Sequence, residues 1–226
     1  MSEPTPVRPQ TLAQIREHAR RHPTDPERPL VICDVDEVVL HFLAPFEAHL
    51  GEQGFAFLSH EYKLTGNIAD TAGQLLDGAA VRALIQGFFD DWAPRQEPVE
   101  GAAEALRSLS DKADIVFLTN LPGDWNREPR ITNLAGHGME YPLLTNSGPK
   151  GGAVAALAAG RRAPVIFIDD SATNIVSVRD SHAMSTLVHF IADRRFFTGA
   201  GEIDGVALKT HDWRDAGAYI RNRIGA

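Results

Sequence analysis

Apolar residues in this chain fall into short continuous runs, and segments with helical spacing of apolar residues lie between them. The clearest run is residues 30–33, which follows a proline-rich turn and leads directly into Asp34 and Asp36. A short, uninterrupted and partly β-branched run is typical of a strand buried on both faces, in the middle of a parallel sheet. The pattern therefore predicts a central strand whose carboxyl end carries two carboxylates.

The same two patterns continue along the chain. Further strands are predicted at residues 115–118, 141–144, 165–168, 186–191 and 206–209. Helices are predicted at residues 11–21, 99–110, 151–159, 171–181 and 213–224, with another inside 123–138. Strands that alternate with helices in this way favour an α/β fold with a central parallel sheet and helices on both of its faces.

Residues 41–98 interrupt this alternation. They contain a short helix at 45–50, an extended piece at 61–68 and an amphipathic helix at 79–92. A segment of this length is too long for a simple connection between two strands of a sheet, so we predict a small, mainly helical insertion. The resulting division is an N-terminal arm with a short helix (1–28), a core (29–42 and 96–226) and an inserted cap (43–95).

Composition narrows the possible functions. The formal net charge of −8 over 226 residues argues against general binding to a nucleic-acid duplex or a membrane surface. The one cysteine, Cys33, lies in the first apolar run, which excludes an intrachain disulfide framework and a multi-cysteine zinc site. Neither a signal-peptide segment nor an apolar run long enough to span a membrane is evident, so we expect a cytoplasmic protein.

Polar residues follow three of the predicted strands: Asp34 and Asp36, Thr119 and Asn120, and Asp169 and Asp170. The carboxyl ends of parallel strands share one edge of a sheet, where open α/β proteins bind their ligands. Lys150 stands at the start of the helix that leads into the third of these strands. Several acids in one place repel each other unless a cation lies among them, and oxygen ligands suit Mg²⁺.

These residues form four short motifs in a fixed order: Asp34-Val35-Asp36-Glu37-Val38, Thr119-Asn120, Lys150, and Asp169-Asp170. Together they resemble the motifs of haloacid dehalogenase (HAD) superfamily phosphohydrolases. The resemblance covers residues 30 to about 190 and implies a Rossmann-like catalytic core with a small cap inserted after the first strand. The insertion itself resembles no family that we can name.

The resemblance implies a role for each motif residue. Asp34 would be the nucleophile that forms an aspartyl-phosphate, and Asp36 the acid that protonates the leaving oxygen and then activates water. Thr119 would bind the transferring phosphoryl group together with Asn120. Lys150 would hold the nucleophile and neutralise phosphate charge.

The same resemblance implies the metal site. Mg²⁺ would be held by Asp34, by the backbone carbonyl of Asp36 and by Asp170, with Asp169 acting directly or through water. Asn174, one helical turn after Asp170, is a candidate supporting residue. The implied activity is Mg²⁺-dependent hydrolysis of a phosphate monoester, with a small phosphorylated molecule as substrate.

Two residues depart from the commonest family pattern. Glu37 stands where the family usually has glycine, and Val38 stands where it often has threonine, so the turn after the first strand could differ locally. Members that cleave carbon–halogen or phosphonate bonds lack an acid at the position of Asp36. Its presence favours phosphate-ester hydrolysis or phosphoryl transfer.

Several alternatives remain open from the sequence. A phosphomutase or phosphotransferase of the same superfamily would share every motif, and a non-catalytic phosphate-binding relative is a further possibility. A phosphorylatable signalling receiver uses similar residues, but there the acid pair precedes the phosphoacceptor. Candidate substrate contacts are His60, Tyr62, Lys63 and Arg82 in the insertion, and Arg127 and Arg130 after Thr119. Phe88, Phe89 and Trp92 form either the core of the insertion or an apolar wall over the site.

Overall fold

The computed structural model describes residues 5–22 and 24–225 of the chain. It contains eight strands: β1 (Leu30–Cys33), β2 (Phe55–Phe57), β3 (Ile68–Asp70), β4 (Asp114–Thr119), β5 (Leu143–Thr145), β6 (Val165–Asp169), β7 (Thr186–Phe190) and β8 (Val206–Thr210). The α-helices are α1 (Pro9–Arg21), α2 (Leu43–Glu52), α3 (Gly78–Trp92), α4 (Ala102–Ser110), α5 (Arg127–Gly136), α6 (Gly151–Ala158), α7 (Ala172–Ser181), α8 (Arg194–Gly199) and α9 (Trp213–Ile224). None of these helices is long and apolar enough to cross a membrane.

Six of the strands form one parallel sheet in the order β5-β4-β1-β6-β7-β8. All four residues of β1 are buried, and they alternate between two apolar clusters. Val31 and Cys33 pack with residues of α4 and α9, whereas Leu30 and Ile32 pack with residues of α6 and α7. The predicted Rossmann-like α/β architecture, with a central parallel sheet between two layers of helices, is therefore confirmed.

A few predicted boundaries differ from the structure. Helix α4 begins at Ala102 rather than at residue 99, because Gly101 has a φ of 81°, which is left-handed backbone outside a helix. Helix α8 was not predicted, since its 6 residues are too few to show a helical period. Of the predicted N-terminal arm, residues 1–4 and Pro23 lie outside the described residues.

The insertion contains a two-stranded sheet as well as helices. Strands β2 and β3 pair antiparallel, and α2 and α3 pack beside them. The predicted extended piece at 61–68 is wrong, because residues 58–67 form a loop between these strands. The buried Asn67 side chain organises this loop by donating to the carbonyls of Ser59, Glu61 and Lys63. Local side-chain hydrogen bonds of this kind compete with strand pairing.

Aromatic residues join the insertion to the rest of the chain. Phe46 and Phe88 are fully buried, and their ring centroids lie 5.5 Å apart in an edge-to-face arrangement. The same apolar cluster includes Ile191 and Phe196, which follow β7. The insertion thus shares its apolar core with the segment around α8. The division into arm, core and cap stays a prediction.

Candidate active site

Three neighbouring strands bring their carboxyl ends together at one edge of the sheet. Asp34 follows β1, and Thr119 and Asp169 are the last residues of β4 and β6, which flank β1 on either side. In a parallel sheet these positions must lie side by side, whatever their distance in sequence. The predicted convergence of the strand-end motifs is therefore present in the structure.

Lys150 lies between two of these acids. Its Nζ is 2.7 Å from Asp34 Oδ2 and 2.7 Å from Asp169 Oδ2, and its side chain is fully buried. Burial by itself would lower the pKa of Lys150, but the charges of Asp169 and Asp34 outweigh burial and raise it. Lys150 is thus held as a cation beside Asp34.

The backbone around Lys150 depends on a close helix contact. A Cβ at Gly151 would lie 2.2 Å from the carbonyl oxygen of Ser177, so only glycine permits α6 to approach α7 at this point. The backbone N–H of Gly151 also donates to Ser177 Oγ at 3.0 Å. This contact fixes the start of α6 and with it the direction of the lysine side chain.

Both carboxylate oxygens of Asp169 already have protein donors. Oδ2 binds Lys150, and Oδ1 accepts hydrogen bonds from the Ser171 N–H and from Asn174 Nδ2, each at 2.9 Å. Asn174, named from the sequence as a candidate supporting residue, therefore contacts Asp169. Through these contacts, Asp169 anchors both Lys150 and the start of α7.

The carboxylates of Asp34, Asp169 and Asp170 lie within 4.8 Å of one another, close enough to hold one metal ion. Burial raises the pKa of Asp34 to about 6, and the charge of Asp169 adds to this effect. Burial and the charge of Asp34 raise the pKa of Asp170 well above its usual range. The site offers only carboxylate oxygens as ligands, and two of its acids resist being ionised together. Such a site suits a hard divalent cation such as Mg²⁺. Asp36, whose backbone carbonyl was the predicted ligand, is outside this carboxylate group.

Thr119 has a polar atom without a partner. The residue is buried, and its Oγ1 makes no hydrogen bond to any described residue. A buried hydroxyl without a partner is costly, so a missing acceptor such as a phosphate oxygen would explain it. The side chain of the neighbouring Asn120 is already occupied, since it donates to the Gly148 carbonyl and accepts from Asn146. Asn120 therefore stabilises the loop that precedes Lys150.

Asp36 is held by two residues that sequence reasoning did not connect to it. Its Oδ1 accepts hydrogen bonds from Arg130 and from Gln96, each at 2.9 Å, and Arg130 also donates to Gln96 at 2.7 Å. Arg130 is fully buried, so its prediction as a substrate contact is not supported by its position. Burial raises the pKa of Asp36, although Arg130 and Gln96 oppose this rise. A raised pKa suits a carboxyl group that must carry a proton.

Glu37 stands where the family usually has glycine, and its contacts explain how the chain accommodates the larger residue. Its φ of 63° lies in the left-handed region that normally favours glycine. The buried carboxylate accepts hydrogen bonds from the N–H groups of Phe42 (3.1 Å), Leu43 (2.7 Å) and Asp193 (2.6 Å). The first two bonds satisfy the amino end of α2, where backbone N–H groups lack helical partners and the helix dipole is positive. Glu37 thus links the turn after β1 to the first helix of the insertion.

A cavity of about 360 Å³ lies over the strand ends. Its polar side, here called the floor, is formed by Asp34, Asp36, Thr119, Asp170 and Asn174, with Asn120, loop residues 148, 149 and 171, and residue 173 of α7. Its opposite side, here called the roof, is formed by Phe42, Leu64, Ile85 and Phe89. The insertion and the residue before α2 therefore supply an apolar cover for a charged site.

None of the substrate-contact candidates named from the sequence lines this cavity. His60 and Tyr62 pack against the ring of Phe196, and Lys63 pairs with Glu61. Arg127 pairs with Glu128 and donates to the Leu143 carbonyl, away from the strand-end edge. Arg82 is an exposed residue of α3. Among the three aromatics of α3, Phe89 lines the cavity, whereas Phe88 and Trp92 pack in the apolar cluster.

Comparison with solved structures defines the class of fold. The chain is similar to a haloacid dehalogenase-like hydrolase from Streptococcus pneumoniae, with a TM-score of 0.58 and 12% identity over 86% of this chain and 99% of that one. It is also similar to the candidate HAD hydrolase YfnB from Bacillus subtilis, whose structure is bound to magnesium, with a TM-score of 0.57 and 12% identity over the same shares. The chain has the HAD fold, as its motifs predicted.

Another similar structure has a different described activity. A candidate β-phosphoglucomutase from Thermotoga maritima matches with a TM-score of 0.55 and 12% identity over 86% of this chain and 99% of that one. No protein-family model matches the sequence, and no curated protein is significantly similar to it. At these identities, the similarity defines the fold and leaves the reaction to be argued from the site.

Proposed function

We propose that this protein is a Mg²⁺-dependent phosphatase that hydrolyses a phosphate monoester through an aspartyl-phosphate on Asp34. The observation that carries the proposal is the buried Asp34–Lys150–Asp169 arrangement beside the unpartnered hydroxyl of Thr119. It offers a nucleophile, a fixed cation and a hydrogen-bond donor in one place. These are the groups that phosphoryl transfer to a carboxylate requires.

The residues of the floor would divide the reaction between them. Asp34 attacks phosphorus, and the bond to the leaving oxygen breaks as Asp36 gives that oxygen a proton. In the second step Asp36 takes a proton from water, and the water oxygen displaces Asp34 from phosphorus. Lys150, beneath the floor, would hold Asp34 and offset negative charge there, and Thr119 would donate a hydrogen bond to a phosphoryl oxygen during both steps.

The metal would be held by Asp34 and Asp170, with Asp169 beside them and the Asp36 carbonyl as the further ligand implied by the resemblance. When bound, Mg²⁺ would neutralise charge on the nucleophile and on the phosphate. The raised pKa values of Asp34 and Asp170 support this assignment, because both acids would ionise readily only with a cation between them. Both oxygens of Asp169 already accept hydrogen bonds from protein donors, which favours an indirect contribution.

A phosphomutase is the second candidate, since structures described as candidate β-phosphoglucomutases are among those that the chain resembles. Such an enzyme would pass the phosphoryl group from Asp34 to a second hydroxyl of a sugar rather than to water. The apolar roof disfavours this alternative because it offers no hydrogen-bond partners for a sugar. Release of phosphate to water without any added acceptor would separate the two.

The test compares the wild-type protein with Asp34→Asn on p-nitrophenyl phosphate, with Mg²⁺ and with excess chelator. We expect Mg²⁺-dependent phosphate release in the wild type and a loss of at least about 10³-fold in the variant. The matched control is Asp204→Asn, which changes an exposed aspartate outside the cavity lining. Equal activity of Asp34→Asn and wild type would refute the assignment of the nucleophile.

A further inference from the structure

The two sides of the cavity differ completely in polarity. The roof residues Phe42, Leu64, Ile85 and Phe89 are all hydrocarbon, and every polar lining residue belongs to the floor. The rings of Phe42 and Phe89 stack with their centroids 5.8 Å apart, so they pack as one aromatic unit within the roof. A phosphate bound at Asp34 would direct its ester group away from the floor, toward the roof.

A sugar or another polyol fits such a surface poorly. Each hydroxyl that enters the cavity loses its hydrogen bonds to water, and the roof offers no donor or acceptor in return. An aliphatic or aromatic group loses nothing on leaving water and gains contact with the roof. The polarity of the roof therefore selects against hydroxyl-rich leaving groups.

The charges around the cavity also restrict the substrate. Among the described residues that line the cavity there are three aspartates and no lysine, arginine or histidine. Lys150 lies beneath the floor, and its ammonium is already shared by two carboxylates. A second phosphate or a carboxylate on the substrate would find no lysine, arginine or histidine side chain among these lining residues to pair with.

The size of the cavity points to a small molecule. A volume of about 360 Å³ is near the lower end of the range for ligand pockets, and part of it must hold the phosphate. The space that remains suits one ring or a short chain. A nucleotide, with its charged and polar groups, conflicts with the polarity of the roof.

We infer that the substrate is a small phosphate monoester with an apolar leaving group, either aromatic or alicyclic. This leaving group carries no second anionic group. This inference rests on the proposed phosphatase function and specifies its substrate class. The roof recognises the hydrocarbon part by contact, and the floor recognises the phosphate.

The test uses two esters of the same shape: cyclohexylmethyl phosphate and glucose 6-phosphate. Both carry a phosphate on a CH₂ group attached to a six-membered ring, and they differ mainly in the ring hydroxyls. We expect the kcat/KM of the wild type for the cyclohexyl ester to exceed that for the sugar ester by at least about 30-fold. A ratio near one, or a preference for the sugar, with turnover that still needs Asp34, would overturn the inference and leave the phosphatase function intact.

A variant of the roof tests the cause of the preference. Leu64→Asn places an amide of similar shape in the roof, and we expect it to reduce the ratio of the two kcat/KM values by about 5-fold or more. Leu75→Asn is the control, because it makes the same change in the insertion at a leucine that is 51% exposed and outside the cavity lining. The inference is wrong if both variants keep the wild-type ratio.

A binding measurement separates the inference from the proposed function. Calorimetry with the Asp34→Asn protein and Mg²⁺ measures the Kd of each ester without turnover, and we expect tighter binding of the cyclohexyl ester by a similar factor. If the wild type hydrolyses neither ester but this binding preference holds, the phosphatase proposal fails and the substrate class stands as a ligand class. If the sugar ester binds as tightly as the cyclohexyl ester, the inference fails irrespective of activity.

Discussion

The floor and the roof of the cavity are built by different principles. The floor consists mainly of strand ends, where the register pairs Cys33 of β1 with Phe117 of β4 and Ile168 of β6, so that Asp34, Thr119 and Asp169 follow at the same edge. Its charges are matched by internal partners, such as Lys150 between Asp34 and Asp169. The roof consists of apolar side chains from the start of α2, from a loop and from α3, held by general hydrophobic packing.

This difference separates the residues proposed to perform the reaction from those proposed to select the substrate. Buried ion pairs tolerate little change, since removing one partner leaves an uncompensated charge in a poorly solvated place. Apolar packing tolerates exchange among residues of similar volume, so a roof can change its shape while the fold persists. We expect substitutions in the floor to affect both stability and chemistry, and substitutions in the roof to affect mainly the choice of substrate.

The largest effect is expected at Lys150. Lys150→Met keeps the length of the side chain but leaves Asp34 and Asp169 unpaired, and we expect a fall in kcat of about 10³-fold. The free energy of unfolding should fall by about 3–5 kcal/mol, as for other broken buried pairs. Urea denaturation and turnover of p-nitrophenyl phosphate measure the two effects. The exposed Lys112→Met is the control, and a Lys150→Met protein as stable and active as this control would contradict the description of the floor.

An intermediate effect on kcat is expected at Arg130, which lies behind the floor and binds the carboxylate of Asp36. Arg130→Gln should lower kcat for phenyl phosphate about 10–100-fold, because phenolate leaves slowly without a well-placed proton donor. The loss should be several-fold smaller for p-nitrophenyl phosphate, whose leaving group needs little protonation. Arg127→Gln, on the same helix but outside the cavity lining, should leave this leaving-group dependence unchanged. An equal loss on both esters would indicate a structural role only.

The smallest effect is a shift in thermal stability at Asp170. Because the pKa of Asp170 is raised, the folded protein binds its proton more tightly than the unfolded chain does, and the stability this provides is lost as pH rises. Without metal at pH 8, Asp170→Asn should therefore melt about 3–6 °C above the wild type, and the difference should shrink at pH 5.

The same variant tests the metal site. Mg²⁺ should raise the Tm of the wild type at pH 8, since it binds only the folded site, and should raise that of Asp170→Asn much less. Scanning calorimetry with Mg²⁺ and with chelator measures both shifts. If Mg²⁺ raised the Tm of the two proteins equally, Asp170 would not be a metal ligand.

The sequence by itself was sufficient for the sheet and for the strand-end residues. Apolar and polar residues do not alternate in β1, because both faces of the strand are buried. This short-range pattern was enough to predict a central strand. The positions of Asp34, Thr119 and Asp169 then followed from the rule that parallel strands share one carboxyl edge. The catalytic and metal-binding roles of these residues stay proposals.

Only the tertiary structure decided which residues support the site. Arg130 and Asp36 are 94 positions apart, and no periodicity or motif connects them. The same holds for the apolar roof, which combines Phe42 before α2 with residues from separate elements of the insertion, including Leu64 in an irregular loop. Helical and strand periods report which face of an element is buried, but not which distant element covers it. The partner of a buried charge and the cover of a cavity depend on how complete elements pack, and that packing is a property of the whole chain.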